Sequence, residues 1–395
     1  MGNNSNLHRA RKTNYDEYYT QLSDIQEELR HFTPHFKGKT VFCNCDDPFE
    51  SNFTLYFLMN FNRLGLKRLI STGYATSPIA GNKLKVGGAY CLDVSDTKHA
   101  LRGHQTDLNE IDAEYMLVSE PELITVLNGD DKYPAGDFRS KESIELLKQS
   151  DIVVGNPPFS IAREAYMPQV FKYDKKFILI GNKNWVTYKN LWPAIKNKKM
   201  WLGTPFTNGN AFFYAPNANP DDFAKGVYNP QNKMVKFRNC NWYTNLDYTE
   251  RHQTLRLGCV YKGHEEEYYP YDNYEGIDIG KFDSKGKRVG DNSKIPYDYD
   301  GVMGVSITIL DKYCPEQFEI LGITCRGYSP EYRTKTYQKT EYENANDLNG
   351  SACILVNNEP LLVYGRVLIR NRYPGRCDWD AWDREIIEKM KGANS

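Results

Sequence analysis

One decapeptide limits what this chain can fold into more than any other: Asp151-Ile152-Val153-Val154-Gly155-Asn156-Pro157-Pro158-Phe159-Ser160. Ile152 to Val154 form the short apolar run of a strand covered on both faces, as in a parallel sheet. Two prolines then stop the ladder, because each lacks a backbone donor and fixes φ at about −65°. The chain must leave the sheet as a stiff turn with its carbonyls outward. That turn presents a preset cluster of acceptors, the Asn156 side-chain oxygen and the Pro157 carbonyl, with the Phe159 ring alongside. An amine with two hydrogens on a flat heterocycle suits it, since each hydrogen finds an acceptor while the ring lies on the phenyl face. Adenine is the best chemical match. The bland alternative is a strand that happens to end in a Pro-Pro turn; Asn before the prolines and Phe after them argue against it.

Upstream, Lys39 to Cys45 reads as a first strand that ends at Asp46-Asp47-Pro48, and a helix is expected from Ser51 to Leu64, capped by Ser51 or Asn52. Strand, acidic turn and helix make the opening βα unit of a doubly wound fold, whose ligands sit at the carboxyl ends of the strands. The turn holds no glycine-rich phosphate fingerprint, which counts against a dinucleotide on the helix N-terminus. Asp46 and Asp47 instead suit a ligand carrying a cation and hydroxyls. Tyr18, Tyr19 and Thr20 are read either as packing or as the wall of a small-molecule pocket. Asp137-Phe138, after Gly136, offers a carboxylate and an aromatic face, a weak signal alone.

Further strands are expected at Arg68 to Thr72, Lys176 to Gly181, Met200 to Gly203, Ala211 to Ala215 and Asn241 to Leu246. Helices are expected at Ser23 to His31, Ser143 to Lys148, Arg163 to Phe171 and Tyr188 to Lys196. The alternation predicts an α/β fold with a doubly wound, mostly parallel sheet. Residues 73 to 134 give too weak a pattern to place elements. From about Arg251 the composition shifts toward Tyr, Asp, Lys and Gly, and a second, smaller domain follows. Its strands are expected at Val302 to Leu310, Phe318 to Ile323, Ile354 to Val356 and Leu361 to Ile369, and a helix at Asp378 to Lys391.

A chain of 395 residues can bury a sizeable core, and its length suggests two or three domains. The formal charge of −1 is not that of a generally basic nucleic-acid coat, so any DNA contact must rest on local positive patches. Residues 1 to 14 cluster His8, Arg9, Arg11 and Lys12, which suits either a solvated tail or an arm that touches phosphates. The nine cysteines are expected to be reduced thiols, mostly buried, because Cys43 and Cys45 have no second close pair to complete a zinc site. With no long apolar segment and no secretory core at the N-terminus, a cytoplasmic protein without a membrane contact is expected.

Taken together, the acidic βα turn, the Asp-Phe pair and Asn-Pro-Pro-Phe resemble the EcoRI-type adenine-specific DNA methyltransferases. The resemblance is carried by DEYYTQ (16 to 21), HFKGKTVFCNCDDPFESNF (35 to 53), GDFRSKESIELLKQSDIVVGNPPFS (136 to 160), YDKKFILIGN (173 to 182), NCNWYTNLD (239 to 247) and PYDYDGVMGVSITILDKYCPEQFEI (296 to 320). It implies a Rossmann-like class I methyltransferase fold, with a catalytic domain over residues 1 to 250 and a target-recognition domain over 251 to 395. It also implies S-adenosylmethionine as methyl donor, no metal, and double-stranded DNA as partner. By the same resemblance Asn156, Pro157 and Pro158 hold the target N6 amine and Phe159 stacks on a flipped adenine. Tyr18, Tyr19, Thr20, Asn44, Asp46, Asp47, Ser51 and Asn52 would surround the cofactor, with Asp137 and Phe138 at its adenine end. A monomer is expected, with any cognate restriction endonuclease sharing the DNA site without binding. Competing readings are a methyltransferase acting on RNA or a protein glutamine, and a non-catalytic DNA-binding relative.

Overall fold

The apolar runs become strands of one eight-stranded sheet. The computed structural model describes residues 18–74, 88–95, 121–206, 209–216, 218–325 and 328–393. The basic segment 1 to 14 lies outside them, as does much of the stretch from 75 to 120. The chain divides into two compact units, one of Met1–Trp185 with Met200–Asp247, the other of Val186–Lys199 with Tyr248–Ser395.

In the first unit the sheet strands are β1 (Thr40–Asn44), β2 (Arg68–Thr72), β3 (Tyr90–Ser95), β4 (Ile124–Val126), β5 (Ile152–Gly155), β6 (Lys176–Asn182), β7 (Trp201–Leu202) and β8 (Cys240–Thr244). Their order across the sheet is β4-β3-β2-β1-β5-β6-β8-β7. The four central strands, β2, β1, β5 and β6, are parallel, while β3, β4, β8 and β7 attach through antiparallel pairings. The sheet is therefore mixed, not mostly parallel. A parallel return needs a helical crossover and an antiparallel one does not; the sequence between β2 and β3 holds four glycines and a proline and carries no helical period.

Every residue of β1 and β5 is buried. Each large apolar side chain so covered contributes roughly 1.5–3 kcal/mol, enough to hold the ends of these strands still. Register aligns those ends, with Asn44 opposite Thr72 and Gly155 opposite Leu179. The helix after β1 is shorter than its pattern suggests. It runs over Asn52–Met59 and breaks at Asn60, whose side chain donates to the Tyr56 carbonyl (2.7 Å) and so competes with the backbone ladder, before a last turn at Phe61–Leu64. The expected helix at 188 to 196 is likewise cut to Trp192–Lys196. A second, four-stranded sheet of the same unit joins Tyr19–Thr20, Ala211–Tyr214, Met234–Phe237 and Tyr228–Asn229 in that order.

The second unit holds a five-stranded sheet in the order Tyr269–Pro270, Gly276–Asp278, Val302–Ser306, Arg366–Asn371, Phe318–Ile323. Two hairpins accompany it, Gly280–Phe282 with Arg288–Gly290 and Ala352–Val356 with Glu359–Val363. The single long strand expected at 361 to 369 is thus two strands. At Gly365 the chain passes from the hairpin to the sheet so close to Cys325 that a Cβ there would stand 2.9 Å from its Sγ. The C-terminal helix Trp379–Ala393 packs Trp382 and Ile386 onto Cys314. All nine cysteines are free thiols, five of them buried. Among the described residues, no helix is long and apolar enough to cross a membrane.

Candidate active site

The carboxyl ends of β1, β2 and β5 meet at one edge of the sheet. Here the chain leaves β1 through Cys45, which takes φ 69°, a left-handed conformation that costs a non-glycine residue about 1–2 kcal/mol. Cys45 has therefore left the strand, which ends at Asn44 and not at Cys45 as expected. The turn brings the Asp46 carboxyl against the last residue of β5: a Cβ on Gly155 would lie 2.1 Å from Asp46 Oδ2 and 3.5 Å from the Asn44 carbonyl oxygen. Only glycine admits this approach, and Asn156 follows directly.

Asp46 is locked from two sides. Its Oδ1 accepts from Ser51 Oγ (2.9 Å), and its carbonyl accepts from Ser71 Oγ of β2 (2.6 Å). Ser51 also caps the following helix, accepting from the Phe53 amide (3.1 Å). Asp46 Oδ2 is buried and makes no hydrogen bond. Burial pushes this carboxyl up from 3.8 to about 7, with the Asp47 charge adding to the rise while the Ser51 hydroxyl and the Asn156 amide oppose it. Asp47 turns the chain, its Oδ1 accepting from the Phe49 and Glu50 amides (2.9 and 3.2 Å).

Asn156 is oriented by its own amide. Nδ2 donates to the Tyr18 carbonyl (2.8 Å), which leaves Oδ1 buried without a partner. Pro157 is buried beside it, and Pro158 and Phe159 are half-buried. Phe159 joins an aromatic cluster with Tyr18, Phe213 and Phe237, its ring centroid 6.1–6.2 Å from each of the three. The segment at Tyr18–Thr20 is tied in again where Asn52 Nδ2 donates to the Thr20 carbonyl (2.7 Å). Thr20 Oγ1 is a further buried hydroxyl with no partner.

The structure thus gathers Tyr18, Thr20, Asp46, Ser51, Asn52, Asn156 and Phe159 and separates others from them. Tyr19 pairs with exposed Tyr214 and lines an open groove of about 650 Å³ with Gln21, Glu50, Asn52, Pro216, Asn232 and Met234; strand alternation turns it away from Thr20. Asn44 is buried in the sheet, where its Oδ1 accepts from Thr72 (3.2 Å). The Asp137 carboxylate is already engaged: Arg139 donates to both of its oxygens (2.9 and 2.7 Å). Phe138 is buried edge-on against Tyr166, ring centroids 5.0 Å apart. Their segment still adjoins the site, since Gly136 (φ +75°) lies so close to Gly73 after β2 that a Cβ would be 1.8 Å from its carbonyl oxygen.

Tyr166 escaped the sequence reading. It is buried, its hydroxyl has no partner, and burial raises its pKa well above 10, with Cys45 and Asp46 adding to the rise. A π-helical turn over Ala162–Tyr166, a feature frequent at functional sites, sets it there. Only its position just after Asn-Pro-Pro-Phe was a signal. Phe213 and Phe237 had none, because strands distant in sequence deliver them.

Four buried polar atoms without partners, Thr20 Oγ1, Asp46 Oδ2, Asn156 Oδ1 and Tyr166 Oη, are what a ligand-binding site looks like before its ligand arrives. An acidic group kept partly protonated by burial fits a cation. Neutral acceptors beside an aromatic cluster fit an amine on a flat ring.

Comparison with known proteins agrees with this chemistry. Residues 6–372 match the family described as "Adenine-specific methyltransferase EcoRI". The chain is 42% identical over 319 residues to the Type II methyltransferase M.EcoRI of Escherichia coli, covering 80% of this chain and 89% of that one. It is 30% identical over 370 residues to M.MpnI of Mycoplasma pneumoniae (93% and 98% covered) and 29% over 356 residues to M.MgeORF184P of Mycoplasma genitalium (87% and 95%), both also Type II methyltransferases. No solved structure matches the chain.

Proposed function

The chain belongs to the EcoRI family of adenine-specific methyltransferases, and on that premise we propose that it methylates N6 of an adenine turned out of duplex DNA, with S-adenosylmethionine as donor. The observation that carries the reading is Asn156 Oδ1, a buried acceptor with no partner, held in one orientation by the Tyr18 carbonyl on the other end of the same amide. S-adenosylmethionine supplies a methyl group on a sulfonium, in a molecule that also carries an ammonium, ribose hydroxyls and adenine.

The residues divide the work. A base inside a duplex is out of reach, so it must be extruded at a cost of a few kcal/mol, part of which stacking and edge hydrogen bonds return. Phe159, backed by Tyr18, Phe213 and Phe237, supplies the stacking face. Asn156 Oδ1 and the Pro157 carbonyl accept the two N6 hydrogens and so aim the nitrogen lone pair; Pro158 stiffens the turn that carries them. Asp46 balances the positive charge of the donor, and ligand binding ionises its carboxyl. Ser51, Asp47 and Asn52 shape the loop, while Thr20 and Tyr166 offer hydroxyls to the same site. Asp137 and Phe138 border it and contact a ligand only if Arg139 releases the carboxylate. The sheet, parallel at its centre, supports a Rossmann-like class I methyltransferase fold for residues 1–250, and the β-rich remainder, 251–395, is assigned to target recognition. Work on intracellular DNA places the enzyme in the cytoplasm, as a monomer that shares its site with any cognate endonuclease without binding it.

Labelled S-adenosylmethionine offered with unmodified plasmid DNA, RNA or bulk protein tests the reading. Label is expected in N6-methyladenine of the DNA alone. Asn156→Ala is expected to fold and to lose methyl transfer by about 10²-fold or more; near-parental turnover in that variant would sink the assignment.

A further inference from the structure

The hairpin Gly280–Gly290 has a construction that target recognition in general does not require. Gly280 stands opposite Gly290, Lys281 opposite Val289 and Phe282 opposite Arg288. Its tip is ordered by its own groups. The Asp283 carboxylate accepts from the Lys285 and Lys287 amides, both at 2.9 Å, and Gly286 takes φ +71° to close the turn. Its base is fixed as firmly. A Cβ on Gly280 would lie 2.3 Å from the Val289 carbonyl oxygen, and one on Gly290 would lie 2.9 Å from Ser306 Cβ. Beneath the ribbon, Arg288 binds buried Asp278 (2.9 Å), which also holds Arg366 (2.8 Å).

The outer surface of this ribbon is cationic, with the Tyr364 ring beside it. Lys281, Lys285 and Lys287 are exposed, and only Lys281 has an acidic partner, Asp291 at 2.9 Å; among the described residues no carboxylate pairs with Lys285 or Lys287. Lys287 Nζ instead lies 4.1 Å above the exposed Tyr364 ring and donates to its hydroxyl (2.9 Å). Tyr364 is 53% exposed, whereas Phe282, 39% exposed, shares the face of its cross-strand partner Arg288 and packs edge-on against Tyr269, ring centroids 5.6 Å apart. The one acidic side chain of the tip is spent on backbone amides, so it orders the lysines without pairing with them.

We propose that this hairpin is the element that enters the major groove of the substrate duplex, its lysines on the phosphates. A two-stranded ribbon is one of the few shapes that groove admits. The order of the tip and the lock at its base remove most of the entropy that a flexible loop would lose on binding. The inference rests on the reading of the protein as a DNA methyltransferase and names the part that holds the DNA.

The test compares the parent protein with Lys285→Ala/Lys287→Ala and Lys285→Arg/Lys287→Arg, using unmodified plasmid DNA and labelled S-adenosylmethionine. The double alanine variant is expected to raise KM for DNA roughly tenfold and to flatten the log-log salt dependence of DNA binding by about 1 to 2. Its melting temperature and its affinity for S-adenosylmethionine should not change. The arginine variant should behave as the parent does. Parental DNA affinity in the alanine variant, or equal losses in the arginine and alanine variants, would overturn the hairpin's role while leaving the enzymatic reading intact. Failure of the parent protein to label DNA at all would remove that reading, and the hairpin's role with it.

Discussion

Two buried aspartates, one in each unit, meet opposite fates. Asp278 is wholly buried and held by two guanidiniums, Arg288 and Arg366, each itself only 3% exposed, with the Tyr271 hydroxyl 3.4 Å away. Asp46 is buried with the Ser51 hydroxyl and the Asn156 amide beside it but no cation, next to a second carboxylate, and its pKa is lifted to about 7. Burying a charge costs several kcal/mol unless a partner is at hand. Where the partner is part of the chain, the result is a rigid structural joint. Where it is missing, the carboxyl holds its proton until a cationic ligand takes the proton's place, and that raised pKa marks the site.

The largest effect that would sharpen this contrast is expected from Asp278→Asn, which leaves two guanidiniums buried without a counter-charge. A loss of roughly 3–5 kcal/mol in urea unfolding is anticipated; a loss below about 1 kcal/mol would show that the joint is not structural. The opposite sign is expected from Asp46→Asn. A folded pKa above the unfolded one means that the fold favours the protonated carboxyl. Its contribution is fully present below the unfolded value of 3.8 and is lost as pH rises through about 7. Ligand-free Asp46→Asn should therefore be more stable than the parent by roughly 1–3 kcal/mol at pH 8 and no different near pH 4, while titration calorimetry shows S-adenosylmethionine bound at least about tenfold more weakly. Parental affinity should itself fall about tenfold per pH unit below 7; a flat pH profile would break the comparison. Smallest is Gly155→Ala, whose new Cβ must displace Asp46 Oδ2 from 2.1 Å. About 1–2 kcal/mol of stability and a similar loss of cofactor affinity are expected, and a variant indistinguishable from the parent would show that the close approach is dispensable.

The legible parts of the fold were those whose signal is local. Strands at Thr40–Asn44, Ile152–Gly155 and Lys176–Asn182 are apolar runs with no helical alternative, and Ser51 announces its helix as a cap. The illegible parts depended on partners far along the chain. Residues 73 to 134 hid the strands Tyr90–Ser95 and Ile124–Val126, which join the sheet by antiparallel pairing. Tyr19 looked equivalent to Tyr18 until pairing with Tyr214 set which way each side chain points. Asp137 looked available until Arg139, two residues on, took both its oxygens.

By itself the amino-acid order determined the hook, because two prolines after an apolar run stiffen the turn whatever surrounds it, and its chemistry follows from residue types alone. Tertiary structure alone decided that the hook is armed. Tyr18 takes one end of the Asn156 amide and frees the other, Gly155 lets Asp46 close in, and no cation of the described chain comes to meet that carboxyl. Orientation and desolvation arise from neighbours in space, and no reading of one segment contains them.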